Sequence, residues 1–202
     1  MLKRKLSDKF YKRAYRILTA ILAVYWITFL FCGVARCGVV SYAYPLKYKE
    51  VIYKYADYYD LERALIFSVV KTESSFDETA KSKAGALGLM QITPDTGKYI
   101  AGKLGVESYD LLDVETNINF GCFYIKYLYI RFKNIDTAMI AYNAGEGNVA
   151  LWLINPEYSL DGKTIKDVPF PETAGYIKKI RENFSKYKKL YGKILDKRNN
   201  FE

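Results

Sequence analysis

The 202-residue sequence predicts an all-α domain preceded by one apolar N-terminal helix. Three observations predict it. Apolar residues recur at three- and four-residue spacing through the body of the chain, no stretch alternates in the manner of a half-buried strand, and helix starters and stoppers bound the periodic segments.

Residues 1–16 hold seven Lys/Arg against one Asp and predict a basic cytoplasmic segment. Residues 17–34 (ILTAILAVYWITFLFCGV) are uncharged, long enough to cross a hydrocarbon core of about 30 Å, and predict a transmembrane helix that holds the rest of the chain outside the cell membrane. The other reading is a cleaved signal, for which Ser41-Tyr42-Ala43 offers a small-x-Ala site and which would release a secreted protein. The long charged leader and long run favour the anchor. Arg36 before Cys37 and Phe31 before Cys32 argue against a lipoprotein, where a small residue is expected. A linker over 35–46 then leads to a domain spanning 47–195, with 196–202 as a tail.

Within that domain Tyr48, Val51, Ile52, Tyr55 and Tyr59 mark one helical face, and Asp60 is placed to cap a second helix over LERALIFSVVKTES. That second helix is apolar nearly all round and therefore central. Thr93-Pro94 reads as the cap and first position of a third, and Asp113 opens a long helix through Ile118, Cys122, Ile125 and Leu128. IDTAMIAYNAG ends in Gly145, the residue type expected just past a helix, and Pro171 starts a last helix through Tyr176, Ile180, Phe184 and Tyr187.

Composition excludes several chemistries. With no histidine, Ser-His-Asp and Cys-His nucleophiles and most zinc sites lack their imidazole. The three cysteines, Cys32, Cys37 and Cys122, include no CxxC, so neither a metal clip nor a redox pair is indicated, and Cys122 alone cannot build a disulfide framework in the domain. The net charge of +9 sits at the ends: residues 177–202 carry nine basic against three acidic residues, leaving fifteen against eighteen between the two basic segments. A nucleic-acid stripe should run through the domain itself, so no nucleic-acid partner is expected.

Acid–base work therefore falls to carboxylates. Glu73 follows Val70, Val69 and Ile66 at helical spacing, which puts its carboxyl on an apolar stripe in the last turn of a helix. Desolvation and the negative end of the helix dipole both favour the neutral acid, and a protonated carboxyl in a cleft is a proton donor. The plainer alternative is a solvent-facing helix-end residue. Eleven positions on, the loop AGALGLMQITP (84–94) surrounds one amide, Gln91, with Gly85, Gly88, Leu89 and Met90. Small residues, an apolar floor and one oriented amide suit a sugar-binding cleft, although a glycine-rich turn filling core has the same composition.

Three motifs carry a resemblance: ESSFDETAKSKAGALGLMQITPDTG (73–97), AYNAG (141–145) and PETAGYI (171–177). In this order they resemble the catalytic domain of soluble lytic murein transglycosylases, across the body of the chain after the apolar run. The resemblance implies a lysozyme-like helical fold that cleaves peptidoglycan glycan strands between N-acetylmuramic acid and N-acetylglucosamine, leaving a 1,6-anhydro sugar without metal or cofactor. It implies that Glu73 is the single catalytic acid and base and that Ser74 completes its motif. Ser82, Gly88, Leu89, Met90 and Gln91 would line the cleft, Tyr142 and Asn143 would lie near the catalytic carboxyl, and Tyr176 would match the tyrosine of the last motif. Glu78 stands where the family often has proline, and Gly97 where alanine is common. Asp77, Asp95, Asp113 and Glu146 remain open as second carboxylates. Two other functions fit the same residues: a goose-lysozyme-type muramidase using water as acceptor, and an inactive glycan-binding scaffold of a membrane assembly.

Overall fold

The computed structural model describes residues 11–13, 15–29 and 42–196. Cys32, Cys37, residues 30–34 of the apolar run, most of the 35–46 linker and tail residues 197–202 lie outside the described residues. The chain divides into two compact units, Met1–Pro45 and Leu46–Glu202.

In the first unit residues 15–29 are helical, and their large apolar side chains face outward, Trp26 at 60% exposure and Phe29 at 61%. The transmembrane helix expected over 17–34 is not supported: among the described residues no helix is long and apolar enough to cross a membrane. The described part, 17–29, spans about 20 Å at 1.5 Å per residue, short of a hydrocarbon core.

Among the described residues the second unit contains seven helices: α1 (Lys49–Tyr58), α2 (Arg63–Glu73), α3 (Pro94–Leu104), α4 (Val114–Phe132), α5 (Ile135–Ala144), α6 (Glu146–Leu153) and α7 (Pro171–Leu195). Among the described residues there is no strand, only isolated bridges that join Lys81 to Leu87 and Leu87 to Ile92 in the loop before α3. The expected all-α class is observed, and the reason is visible in α2. Ala64, Leu65, Ile66, Phe67, Ser68, Val69 and Val70 are all buried, so this helix forms the centre rather than one side of the domain. It packs along α7, while α4 packs on α5. Each fully buried Ile or Phe contributes about 1.5–3 kcal/mol by leaving water.

Most helix boundaries follow the sequence signals. Thr93 Oγ1 accepts from Thr96 N at 3.2 Å and Pro94 occupies the first turn, Asp113 Oδ2 accepts from Thr116 N at 2.8 Å, and Gly145 ends α5 with φ +86°. Asp60 does not cap α2. It takes φ +51° in the turn closing α1, where Leu61 N donates to Ala56 O at 2.8 Å, and α2 begins three residues later behind Glu62, which makes no side-chain cap bond. The junction is held instead by Arg63, whose guanidinium bonds both carboxylate oxygens of Asp57, at 2.8 and 2.5 Å, and lies over the Tyr53 ring.

Candidate active site

Glu73 is the last residue of α2, and the chain turns sharply behind it. Ser74 N donates to Val70 O at 3.1 Å, and Ser74 Oγ donates to the same carbonyl at 3.2 Å while accepting from Phe76 N at 3.1 Å. Ser75 and Phe76 follow at φ +52° and +68°, a left-handed pair that non-glycine residues adopt only at some cost. Phe76 is anchored in the core against Phe67, which holds that turn. Ser74 thus shapes the chain behind the acid.

Burial raises the Glu73 carboxyl from its ordinary 4.5 to about 7, with the nearby Tyr176 hydroxyl pulling the other way. No second carboxylate contributes to that shift. Asp77 accepts from Thr79 in its own turn, Asp113 caps α4, and Glu146 pairs with Arg131 at 2.8 Å. Tyr176 is buried and Tyr142 half-buried next to Glu73, and desolvation followed by its negative charge pushes both phenols well above their usual value. The Tyr176 hydroxyl is shielded from solvent with no partner in hydrogen-bonding geometry. It lies close enough to act on the acid but short of full hydrogen-bond geometry, a buried polar atom that a small shift or a ligand can satisfy.

The loop before α3 is pinned from three sides. Tyr142 Oη donates to Met90 O at 2.8 Å, which ties the loop to the end of α5. Gln91, at φ +50°, uses both amide hydrogens on loop carbonyls, Gly88 O at 2.9 Å and Ala80 O at 3.2 Å. Only an NH2 satisfies two carbonyls, so Oε1 is the end left for a ligand, and no donor among the described residues meets it. Ser82 is exposed, and its hydroxyl accepts from Ala86 N at 3.0 Å. Leu89 and Met90 are 1% and 0% exposed, so their side chains support the loop from within the core. This revises the expectation that these two side chains line an open cleft.

The third anchor was missed from the sequence. Buried Asn117 of α4 accepts from Met90 N at 2.7 Å and donates to Leu87 O at 2.9 Å and Leu111 O at 2.7 Å. Gly88, at φ +73°, lies against it: a Cβ there would collide with the Asn117 amide and come within 2.6 Å of Leu111 O. Thr173 was also missed. Its hydroxyl donates to Asn143 Oδ1 at 2.7 Å and joins α5 to α7 one turn before Tyr176. Each is an ordinary helical polar residue in sequence, and only the approach of a second element gives it a function. Glu78 also has a partner: it accepts from Tyr48 Oη at 2.8 Å and ties the loop to the start of α1.

Glu73, Tyr142 and Tyr176 thus lie together where α2, α5 and α7 come close, and Tyr142 ties this group to the loop at Met90. This arrangement can deliver one proton from a desolvated acid. Residues 50–164 match the family model described as the Transglycosylase SLT domain. The chain is 34% identical over 155 residues to the soluble lytic murein transglycosylase of Salmonella typhimurium, covering 74% of this chain and 24% of that protein. It resembles the solved complex of a 70-kDa soluble lytic transglycosylase with bulgecin A, at TM-score 0.65 and 32% identity over 74% of this chain and 25% of that one. It also resembles an inactive mutant of lytic transglycosylase Slt from Pseudomonas aeruginosa, at TM-score 0.63 and 28% identity over 73% and 25%. The chain spans about a quarter of the length of the relatives it matches.

Proposed function

Because the chain belongs to the transglycosylase SLT family, we propose that it is a peptidoglycan lytic transglycosylase cutting the β-1,4 bond between N-acetylmuramic acid and N-acetylglucosamine. The observation that carries this reading is Glu73: a single half-buried carboxyl that desolvation raises to about 7, with no second carboxylate acting on it.

Glycosidases in general use two carboxylates, one as acid and one as nucleophile or water-activating base. With one, the proton must be given and taken by the same group. Neutral Glu73 protonates the glycosidic oxygen as the C1–O bond breaks, and the N-acetyl carbonyl oxygen of the muramoyl unit supports the positive C1. The Glu73 carboxylate then takes the proton of the C6 hydroxyl as O6 bonds to C1. Glu73 ends neutral, the products are a 1,6-anhydro sugar and a free hydroxyl, and no water is consumed.

In this reading Gln91 Oε1 accepts from a sugar N–H or hydroxyl, and Ser82 and Asn143 contact the N-acetyl groups. The Tyr142 and Tyr176 hydroxyls orient the acid and the substrate. Leu89, Met90 and Gly88 set the loop at the height Gln91 requires, and Ser74 holds the turn.

The reading also places the enzyme outside the cytoplasmic membrane, where glycan strands lie. We propose that residues 17–34 export the chain and hold it there. The outward-facing apolar side chains of 17–29 support this. A linker of roughly 3.3–3.6 Å per residue over 35–46 would allow about 40 Å of reach. Fractionation of cells expressing a C-terminally tagged chain separates the cases: full-length protein in the membrane pellet with an externally accessible tag supports the anchor, and a soluble form starting at Tyr44 replaces it with a cleaved signal.

Mass analysis of digested cell wall tests the chemistry. Anhydro-ended products support the transglycosylase, products one water heavier assign hydrolysis, and no products leave the scaffold reading.

A further inference from the structure

Glu73 stands at the weak end of its helix. The last turn of an α-helix has carbonyls without intrahelical partners and frays first, and Thr72, one residue before the acid, adds to that tendency: its hydroxyl donates back to Ser68 O at 2.7 Å, a bond that loosens and bends helices. Ser74 closes the turn from behind. On the side facing α7, Asn183 Nδ2 donates to Thr72 Oγ1 at 2.9 Å. The direction of that bond is fixed, because Thr72 Oγ1 has one hydrogen, committed to Ser68 O, and meets α7 as an acceptor.

The contact belongs to a series. The two helices run in opposite directions, with Glu73 beside Tyr176, Thr72 bonded to Asn183, and Phe67 5.4 Å from Tyr187, centroid to centroid. Phe67 in turn meets Phe76 in the turn behind the acid. Thr173, Tyr176, Asn183 and Tyr187 share one face of α7, and Thr173 bonds Asn143 at 2.7 Å. A polar pair adds little net stability over an apolar pair of the same shape. What it adds is orientation, and here it fixes the turn that carries Glu73.

We infer that Asn183, acting through Thr72, is a positioning residue for Glu73: it clamps the last turn of α2 to α7 and keeps water from entering behind the carboxyl. The inference rests on the glycan-cleaving reading above for what Glu73 does and adds the group that holds it in place.

The titratable groups facing Glu73 are Tyr176 of α7 and Tyr142 of α5, both held well above their usual value and so neutral where Glu73 titrates, and no lysine of the loop before α3 acts on it. A moved Glu73 midpoint therefore reports its solvation.

The test uses the full-length chain isotope-labelled at the glutamate carboxyl carbons, with the Glu73 NMR signal identified by its loss in Glu73→Gln. Asn183→Ala and Thr72→Val should each lower the Glu73 midpoint by about one pH unit, since restored water favours the charged form. Wall cleavage per folded molecule should then fall roughly fivefold at pH 7 and stay near the parent rate at pH 5. Thr72→Ser, which keeps the hydroxyl, should return the midpoint to the parent value. Thr72→Val preserves the side-chain shape and carries the test if Asn183→Ala does not fold. A parent midpoint in the folded variants, or a rate loss equal at both pH values, overturns the clamp. The midpoint is read without substrate, so the two readings fail separately: if it moves in a chain that leaves cell wall uncut, the clamp stands and the cleavage reading falls, and if wall is cut while the midpoint stays, the reverse holds.

Discussion

At the C-terminal end of α2 stands Glu73, half-buried, without a cation and raised by desolvation to about 7; at the N-terminal end of the same helix stands Glu62, exposed and 3.3 Å from Lys188. The same contrast holds along α5. Its C-terminal end carries Tyr142 and Asn143, and its N-terminal end carries Asp136, paired with Arg181 of α7 at 2.6 Å. The N-terminal ends of α2 and α5 also share a groove of about 590 Å³, floored by Leu61, Leu65, Met139, Ile180 and Phe184. The groove and the desolvated acid therefore lie at opposite ends of these two helices. An acid works as a proton donor where water is removed and no cation replaces it, and the carboxylates around the groove have both water and lysine or arginine.

The sharpest way to break this contrast is to neutralise one acid at each end. Glu73→Gln keeps the shape but cannot donate a proton, and wall cleavage should fall by at least the 10²–10⁴-fold typical of a lost general acid. Glu62→Gln should leave the rate within twofold, measured on the same wall substrate. Equal losses at both ends would remove the distinction.

Glu73 should also make stability depend on pH. Glu73 has a folded pKa of about 7, above its ordinary 4.5, so the folded state binds this proton more tightly than the unfolded state does. Its contribution is fully present below 4.5 and is lost as pH rises through 7. The loss is about 3 kcal/mol from the size of the shift. Urea melts at pH 8 should therefore show Glu73→Gln more stable than wild type, with the gap closing toward pH 4, while activity of the wild type falls as pH passes above 7. A gap independent of pH would remove Glu73 as the titrating group.

Asn117→Ala sharpens the comparison by loosening the loop without touching the acid. It strands Met90 N, Leu87 O and Leu111 O in a buried place, at roughly 1–3 kcal/mol for an unmet group. Melting should drop, and turnover per folded molecule should drop with it; normal turnover in a destabilised protein would reduce Asn117 to a core residue.

Tyr142→Phe removes one hydrogen bond to Met90 O, so melting should change by only about 1 kcal/mol while turnover falls. The smallest effect belongs to the far end: Arg181→Ala breaks an exposed pair with Asp136, a change of at most about 1 kcal/mol with cleavage unaffected.

Much of this was legible in the chain itself because it is local. Caps at Thr93 and Asp113, the stop at Gly145 and the start at Pro171 depend on backbone groups within one turn of each residue, and α2 declared its central position by being apolar on every face. Asp60 misled because a capping residue in sequence also tolerates the left-handed turn that ends the preceding helix, and here the turn won. Leu89 and Met90 misled in another way: sequence showed an apolar loop, but which face of the loop would be covered depended on α4 arriving with Gly121 beneath Met90.

The sequence by itself determined that the protein is helical, that histidine and cysteine chemistry are closed to it, and that one glutamate follows an apolar stripe before a glycine-rich loop. Those are properties of composition and near-neighbour spacing. Only the tertiary structure decided that Glu73 is desolvated while Asp77 and Asp113 bind their own turns and Glu146 is paired, that Gln91 turns its amide hydrogens inward, and that Asn117 and Thr173 tie the loop and the helices together. A pKa is set by the water and charge within a few ångströms, and at this site those ångströms are supplied by Tyr142 and Tyr176, residues 69 and 103 positions further along the chain.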